Sequence, residues 1–256
     1  MKKIWTALLI LCLGGCSAKN VLTDYRFQTQ TVPPFVVASW FKVDAVGEPI
    51  RIYIEGDGNA FDGRGYPTDN PTPKGTFLRE IAANDPNPNV VYLGRPCQYL
   101  QAGACTESVW TDGRFSEEVI TSMEKAVMNL MKKARAKQAI LIGYSGGAQV
   151  AGQIAVRNPE KISSVITIAG VLDHSAWSDY HGDEPLKKSL NLADKKEAFE
   201  KIPQHHYVGE KDDVVPPELT LEFVSDENNI TIVPKATHSK GYDKIIDKIY
   251  HMESTK

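Results

Sequence analysis

Apolar positions along this chain change spacing several times, from strand-like runs to helical stripes and back. Residues 36–43 and 50–55 are dense in β-branched and aromatic side chains and predict two early strands, with Gly47-Glu48-Pro49 as the turn between them. Gly56-Asp57-Gly58 then ends the second strand, and residues 59–75 carry Pro and Gly turns that predict a surface loop. A short helix follows over 76–83, stopped by Asp85-Pro86, and 90–93 is a short apolar strand. The clearest helix covers 116–137. Val119, Ile120, Met123, Val127, Leu130, Met131 and Ala134 fall on one face, Ser116 suits the N-cap, and Glu117 and Glu118 suit the positive end of the dipole. Lys132, Lys133, Arg135 and Lys137 suit the other end as a solvated basic face.

Beyond that helix the alternation becomes regular. Strands are expected at 139–142, 164–169, 206–208 and 230–233, and helices at 148–157, 217–225 and 242–252. Strands alternating with helices predict a mostly parallel sheet covered on both faces. The stretch 171–203 is longer than a simple connection and predicts a small cap. No composition shift marks an interdomain linker, so a single domain is expected over 35–256.

The beginning of the chain departs from this pattern. Met1-Lys2-Lys3 is basic and 4–13 is almost wholly apolar, too short for a transmembrane helix but of signal-peptide length. It ends in Leu13-Gly14-Gly15-Cys16, which resembles a bacterial lipoprotein signal. The resemblance implies removal of residues 1–15, acylation of Cys16 and a tether over 16–34. Ser17, where an Asp would favour inner-membrane retention, points to the periplasmic face of the outer membrane. Cleavage would take Lys2 and Lys3 from the 29 basic residues and leave the 32 acidic ones in excess. That charge excludes nucleic acid as a main partner and leaves membrane attachment to lipid on Cys16.

Of four cysteines, Cys12 would leave with the signal and Cys16 would carry lipid. An exported chain matures where disulfides persist, so Cys97 and Cys105 are expected to bridge. The alternatives are two free thiols or a metal pair, and no His or second Cys pair sits nearby to complete a metal site.

The candidate chemistry centres on Gly143-Tyr144-Ser145-Gly146-Gly147. A serine hydroxyl needs a neighbouring base to become a nucleophile, and a tight strand-to-helix turn lifts it clear of a sheet. Glycines two before and two after relieve the crowding in such a turn. With average glycine usage the pattern arises by accident in roughly 8% of chains of this composition. Its context adds weight, because the apolar strand 139–142 precedes it directly and a small-residue helix follows.

Over nearly the whole mature length the chain resembles the α/β-hydrolases, whose order is nucleophile, acid, histidine. Gly209-Glu210-Lys211-Asp212-Asp213 is similar to the family's acid loop, in which the aspartate sits three residues past the glycine. That selects Asp212, although the spacing alone leaves Asp213 open. Lys235-Ala236-Thr237-His238-Ser239 follows the next strand and puts His238 where the family's general base lies. One oxyanion donor is implied at the Gly146 N–H. The other is implied in Glu55-Gly56-Asp57-Gly58-Asn59, which resembles the family's His-Gly loop with Glu55 in place of the His. Asp57 and Gly58 are its candidates. The block Arg95-Pro96-Cys97-Gln98-Tyr99, with Cys105, Trp110, Arg114 and Phe115, looks like a segment of bacterial α/β-hydrolases and is read as a stapled loop near the site mouth.

These readings together predict an α/β-hydrolase fold and a lipid-anchored serine hydrolase with a small-molecule or acyl substrate. No metal, phosphate-loop or dinucleotide motif is present, and no cofactor is expected. Two alternatives stand beside hydrolysis: an acyltransferase using the same nucleophile, and a non-catalytic lipoprotein that binds or scaffolds through a hydrolase fold.

Overall fold

The computed structural model describes residues 21–251. The signal segment and Cys16 lie outside the described residues. Eight strands form one sheet: β1 (Arg26–Val32), β2 (Phe35–Val43), β3 (Ile50–Ile54), β4 (Asn89–Leu93), β5 (Ala139–Tyr144), β6 (Ile162–Ile168), β7 (Gln204–Gly209) and β8 (Ile230–Val233). Their spatial order is β1-β2-β4-β3-β5-β6-β7-β8. From β4 to β8 every pairing is parallel, whereas β2 runs antiparallel to both β1 and β4.

Each central strand is buried on both faces, and its alternation sorts side chains between two cores. In β5, Ala139 and Leu141 enter one core while Ile140 and Ile142 enter the other. The first core is covered by α2 (Glu117–Ala134) and α3 (Gly147–Arg157), with Phe223 of α6 (Pro217–Phe223) at its edge. The second is covered by α1 (Phe77–Ala83) and α7 (Ile246–His251). All seven apolar positions on the stripe expected for α2 are buried. That helix ends earlier than its periodicity suggests, because Arg135 takes a left-handed φ of 52° and its N–H and that of Ala136 close the last turn.

The sheet takes in residues before 35, the expected start of the domain: Leu22 and Tyr25, within the expected tether 16–34, are buried, and β1 occupies 26–32. β1 is an edge strand whose Phe27, Gln28, Thr29 and Thr31 stay at least partly exposed, so it carries little hydrophobic signal. The expected helix 242–252 also shortens to Ile246–His251, since Tyr242 is spent in the second core. In the stretch expected as a cap lie α4 (His174–His181), a 3-10 turn and the short α5 (Lys196–Phe199).

One polar cluster is buried beneath α7. Arg51 of β3 pairs with Asp85 at 2.8 Å and donates to the Ile249 carbonyl, while the Tyr53 hydroxyl donates to the same carboxylate at 2.6 Å. A buried guanidinium left without its carboxylate is costly. Asp85→Ala is therefore expected to destabilise the fold by about 3–5 kcal/mol in urea denaturation, and a loss under 1 kcal/mol would contradict this account.

Candidate active site

The carboxyl ends of the central strands carry the site, as expected for an open parallel sheet. Ser145 sits between β5 and α3 with a φ of 51°, a left-handed conformation that a non-glycine residue adopts only under constraint. Its N–H donates to the Ile168 carbonyl, and its own carbonyl accepts from Ala148 and Val171. The flanking glycines are required by close backbone approach. A Cβ on Gly143 would lie 2.6 Å from the Gly147 carbonyl oxygen and 2.7 Å from Ala148, and one on Gly147 would strike the Ile54 and Glu55 carbonyls.

The loop after β8 brings His238 to this turn. Its Nε2 lies 3.1 Å from Ser145 Oγ, and its Nδ1 lies 2.9 Å from Asp212 Oδ2. Asp212 is fully buried at the end of β7, where its Oδ1 accepts from the Val214 and Val215 N–H groups at 2.9 Å each. The Lys211 N–H donates to the Ala236 carbonyl and ties the acid loop to the histidine loop. Asp213 is exposed and makes none of these contacts. The ambiguity between the two aspartates is thus resolved geometrically in favour of Asp212.

The other histidines stand apart from this chain of contacts. His206 is buried in the sheet between Thr167 and Gln204. Burial, with the charge of His205 acting the same way, pushes it down to about 3. His181 lies beside the Val214 carbonyl, and Trp177 donates to that carbonyl at 2.7 Å, so α4 clasps the acid loop.

The loop after β3 packs directly on the nucleophile turn. A Cβ on Gly56 would lie 3.0 Å from Ser145 Cβ, and one on Gly146 would fall on the Asp57 carboxylate. Among the described residues, the N–H groups of Gly146, Asp57 and Gly58 donate to no protein acceptor. Gly58 has a φ of 69° and turns the loop away against Pro71. Glu55, in the place of the family's histidine, accepts from the Gly56 N–H and from the Tyr92 hydroxyl, and burial pushes its carboxyl up.

The sequence assigns Arg95 and Arg114 no chemical role beyond bridging carboxylates or carbonyls. In the structure both converge on Asp57. Arg95 Nη1 donates to Oδ1, and Arg114 Nη1 lies 3.1 Å from Oδ2. Partial burial pushes the Asp57 carboxyl up, but the charges of Arg114 and Arg95 outweigh it and hold it below the usual 3.8. No local signal links these residues, because their meeting depends on β3 and β4 lying side by side.

Cys97 and Cys105 are bridged. Between Arg95 and Tyr99, Gln98 accepts from the Arg95 N–H and donates to the Gly56 carbonyl at 2.8 Å. The stapled segment thereby braces the loop that faces Ser145. A cavity of about 460 Å³ opens over the serine, bordered by Asp57, Phe61, Arg114, Phe115, His174 and Trp177 among others. Among the described residues no group of three His, Cys, Asp or Glu side chains is placed to hold a metal ion.

No family model matches the chain, and no curated protein matches it. Solved structures do. The esterase Pf2001 of Pyrococcus furiosus aligns over 93% of both chains with a TM-score of 0.62 at 16% identity. Est1E from Butyrivibrio proteoclasticus covers 88% of this chain and 94% of its own, with a TM-score of 0.60 at 13% identity. An α/β serine hydrolase without lid from Xanthomonas campestris covers 89% and 91%, with a TM-score of 0.54 at 14% identity. The fold is that of the α/β-hydrolases. Within the α/β-hydrolase fold of this chain, Ser145, Asp212 and His238 come from three separate strand ends and meet in one line of hydrogen bonds.

Two outcomes follow. The unfolded chain would protonate His206 near 6.5, while the fold keeps it neutral down to about 3. That contribution to stability is present in full above pH 6.5 and is lost as pH falls towards 3. Thermal melts are expected to show Tm declining from pH 7 to pH 4, with a shallower slope in His206→Gln; an identical slope would refute the assignment. Separately, Cys97→Ser with Cys105→Ser is expected to lower stability by about 2–3 kcal/mol through the lost loop constraint, measured by urea unfolding.

Proposed function

We propose that this protein is a serine hydrolase that cleaves an ester, thioester or amide through an acyl-enzyme on Ser145. The observation that carries the reading is the continuous contact from Ser145 Oγ to His238 Nε2 at 3.1 Å and from His238 Nδ1 to Asp212 at 2.9 Å. The descriptions of the structural neighbours as an esterase and a serine hydrolase point the same way.

In this reading His238 takes the Ser145 proton as Oγ attacks the substrate carbonyl. The new Oγ–C bond places negative charge on the carbonyl oxygen, where the Gly146 N–H and that of Asp57 or Gly58 stabilise it. His238 then gives its proton to the leaving group as the scissile bond breaks. Water, deprotonated by the same imidazole, frees the acyl group and restores the serine. Asp212 fixes the ring with Nδ1–H facing its carboxylate and stabilises the imidazolium. The two backbone donors to Asp212 Oδ1 hold that carboxylate in place.

The same proposal includes export and attachment. Lipid on Cys16 would hold the domain at the periplasmic face of the outer membrane, with no cofactor involved. Among the described residues no helix is long and apolar enough to cross a membrane.

A fluorophosphonate probe is expected to label the protein on Ser145, and Ser145→Ala to abolish both labelling and turnover of short p-nitrophenyl esters. A loss on the order of 10⁴–10⁶ in kcat is expected from removing such a nucleophile. Labelling that survives the substitution would overturn the assignment. A native protein that neither labels nor turns over any ester would favour the non-catalytic scaffold reading instead.

A further inference from the structure

The cavity over Ser145 carries one feature that hydrolysis of a simple ester does not use. Two guanidinium groups share the Asp57 carboxylate there. Arg95 is engaged at two nitrogens, one donating to Asp57 and another to the Arg114 carbonyl. Arg114 is less engaged. Its side chain is 5% exposed, a single nitrogen pairs with Asp57, and its Nε is buried with no hydrogen-bond partner. A buried charge held by half a carboxylate is an expensive arrangement unless something else completes it.

A second buried group beside it is also unsatisfied. His174, 5% exposed, borders the same cavity and stacks on Phe115 at 5.9 Å with the rings 20° apart. Neither of its ring nitrogens has a hydrogen-bond partner. The Leu190 carbonyl is near enough to favour a proton on the ring but does not complete a hydrogen bond. Burial first, with the charge of Arg114, outweighs the opposing charge of Asp173 and holds the imidazole towards its neutral form, which offers one N–H donor.

The surroundings favour an anion over a neutral polar ligand. The Arg114 guanidinium lies 5.7–5.8 Å from the ring centres of Phe61, Phe115 and Trp177. Those rings lower the polarity around the guanidinium, which strengthens any ion pair formed there. Glu55 also borders the cavity, but both of its oxygens are already engaged by Gly56 and Tyr92. The exposed Lys74 at the rim adds positive charge.

We propose that Arg114 and His174 form a carboxylate-binding subsite in this cavity, so that the ester hydrolysed at Ser145 bears a second, free carboxylate. The guanidinium accepts the carboxylate through charge-assisted hydrogen bonds, and the His174 N–H adds a neutral donor. The inference rests on the reading of Ser145 as nucleophile.

Two ester pairs, matched in length and differing in charge, test it by kinetics. p-Nitrophenyl hemiglutarate is compared with p-nitrophenyl valerate, and 4-carboxyphenyl butyrate with phenyl butyrate. At least one carboxylated ester should exceed its neutral partner by about tenfold in kcat/KM, mostly through KM. Arg114→Gln should remove that preference, lowering kcat/KM for the carboxylated ester at least about tenfold more than for its neutral partner. His174→Phe, which keeps the stack and spares the Asp57 pair, should weaken it by about fivefold. The proposal is overturned if neither carboxylated ester is preferred, or if Arg114→Gln lowers charged and neutral esters alike, the mark of a merely bracing arginine. Calorimetric titration of glutarate into Ser145→Ala needs no catalysis. Binding there that Arg114→Gln abolishes supports the subsite even if the hydrolase reading fails, and absent binding counts against the subsite even if neutral esters are cleaved through Ser145.

Discussion

The closeness of three backbones beneath Ser145 is the constraint on which the rest of the site depends. The start of α3 presses against the end of β5 and the end of β3 at distances that leave no room for a Cβ on Gly143 or Gly147. That contact forces Ser145 to a φ of 51° and projects its hydroxyl away from the sheet. It also brings the loop after β3 against the serine, which is why the free N–H groups of that loop and of Gly146 are near neighbours. Parallel pairing of β3 with β5 makes the contact possible, because both strands then end at the same edge. The histidine and acid loops reach that edge from β8 and β7 by the same logic.

Hydrogen bonds and ion pairs around the turn divide into two groups, although the charge of His238 also acts on Asp57. Asp212 is satisfied by backbone N–H groups and His238, with no arginine nearby in its bonding. Asp57, on the opposite flank of the serine, is satisfied by two arginines and presses on Gly146. Keeping the arginines away from Asp212 leaves its charge free to act on the imidazolium. The Asp57 cluster meanwhile ties the loop after β3 to Arg95 and Arg114 through ion pairs.

The parts legible in the sequence are those whose chemistry is local. The strand, serine and helix at 139–157 carry their own steric demands, and glycines report them directly. Asp212 and His238 follow from the family resemblance of the loops that carry them, and the burial of Asp212 beside an exposed Asp213 removes the alternative that the spacing leaves open. β1 was hidden because an edge strand with Gln and Thr on exposed positions looks like any polar leader. Arg95 and Arg114 were visible as residues yet silent as partners. Their link to Asp57 exists only once β3 and β4 are neighbours, and pattern within a single strand says nothing about that.

The burial of Leu22 and Tyr25 sets a reach for the whole molecule. Tyr25 donates to the Ala82 carbonyl at 2.6 Å and Leu22 packs in the second core, so the chain is fastened to the domain from that point on. With lipid on Cys16, as proposed, five residues would separate the anchor from Leu22, a span of at most about 20 Å when fully extended. Under that proposal the domain would be held close to the bilayer, and its encounters with substrate would follow that surface.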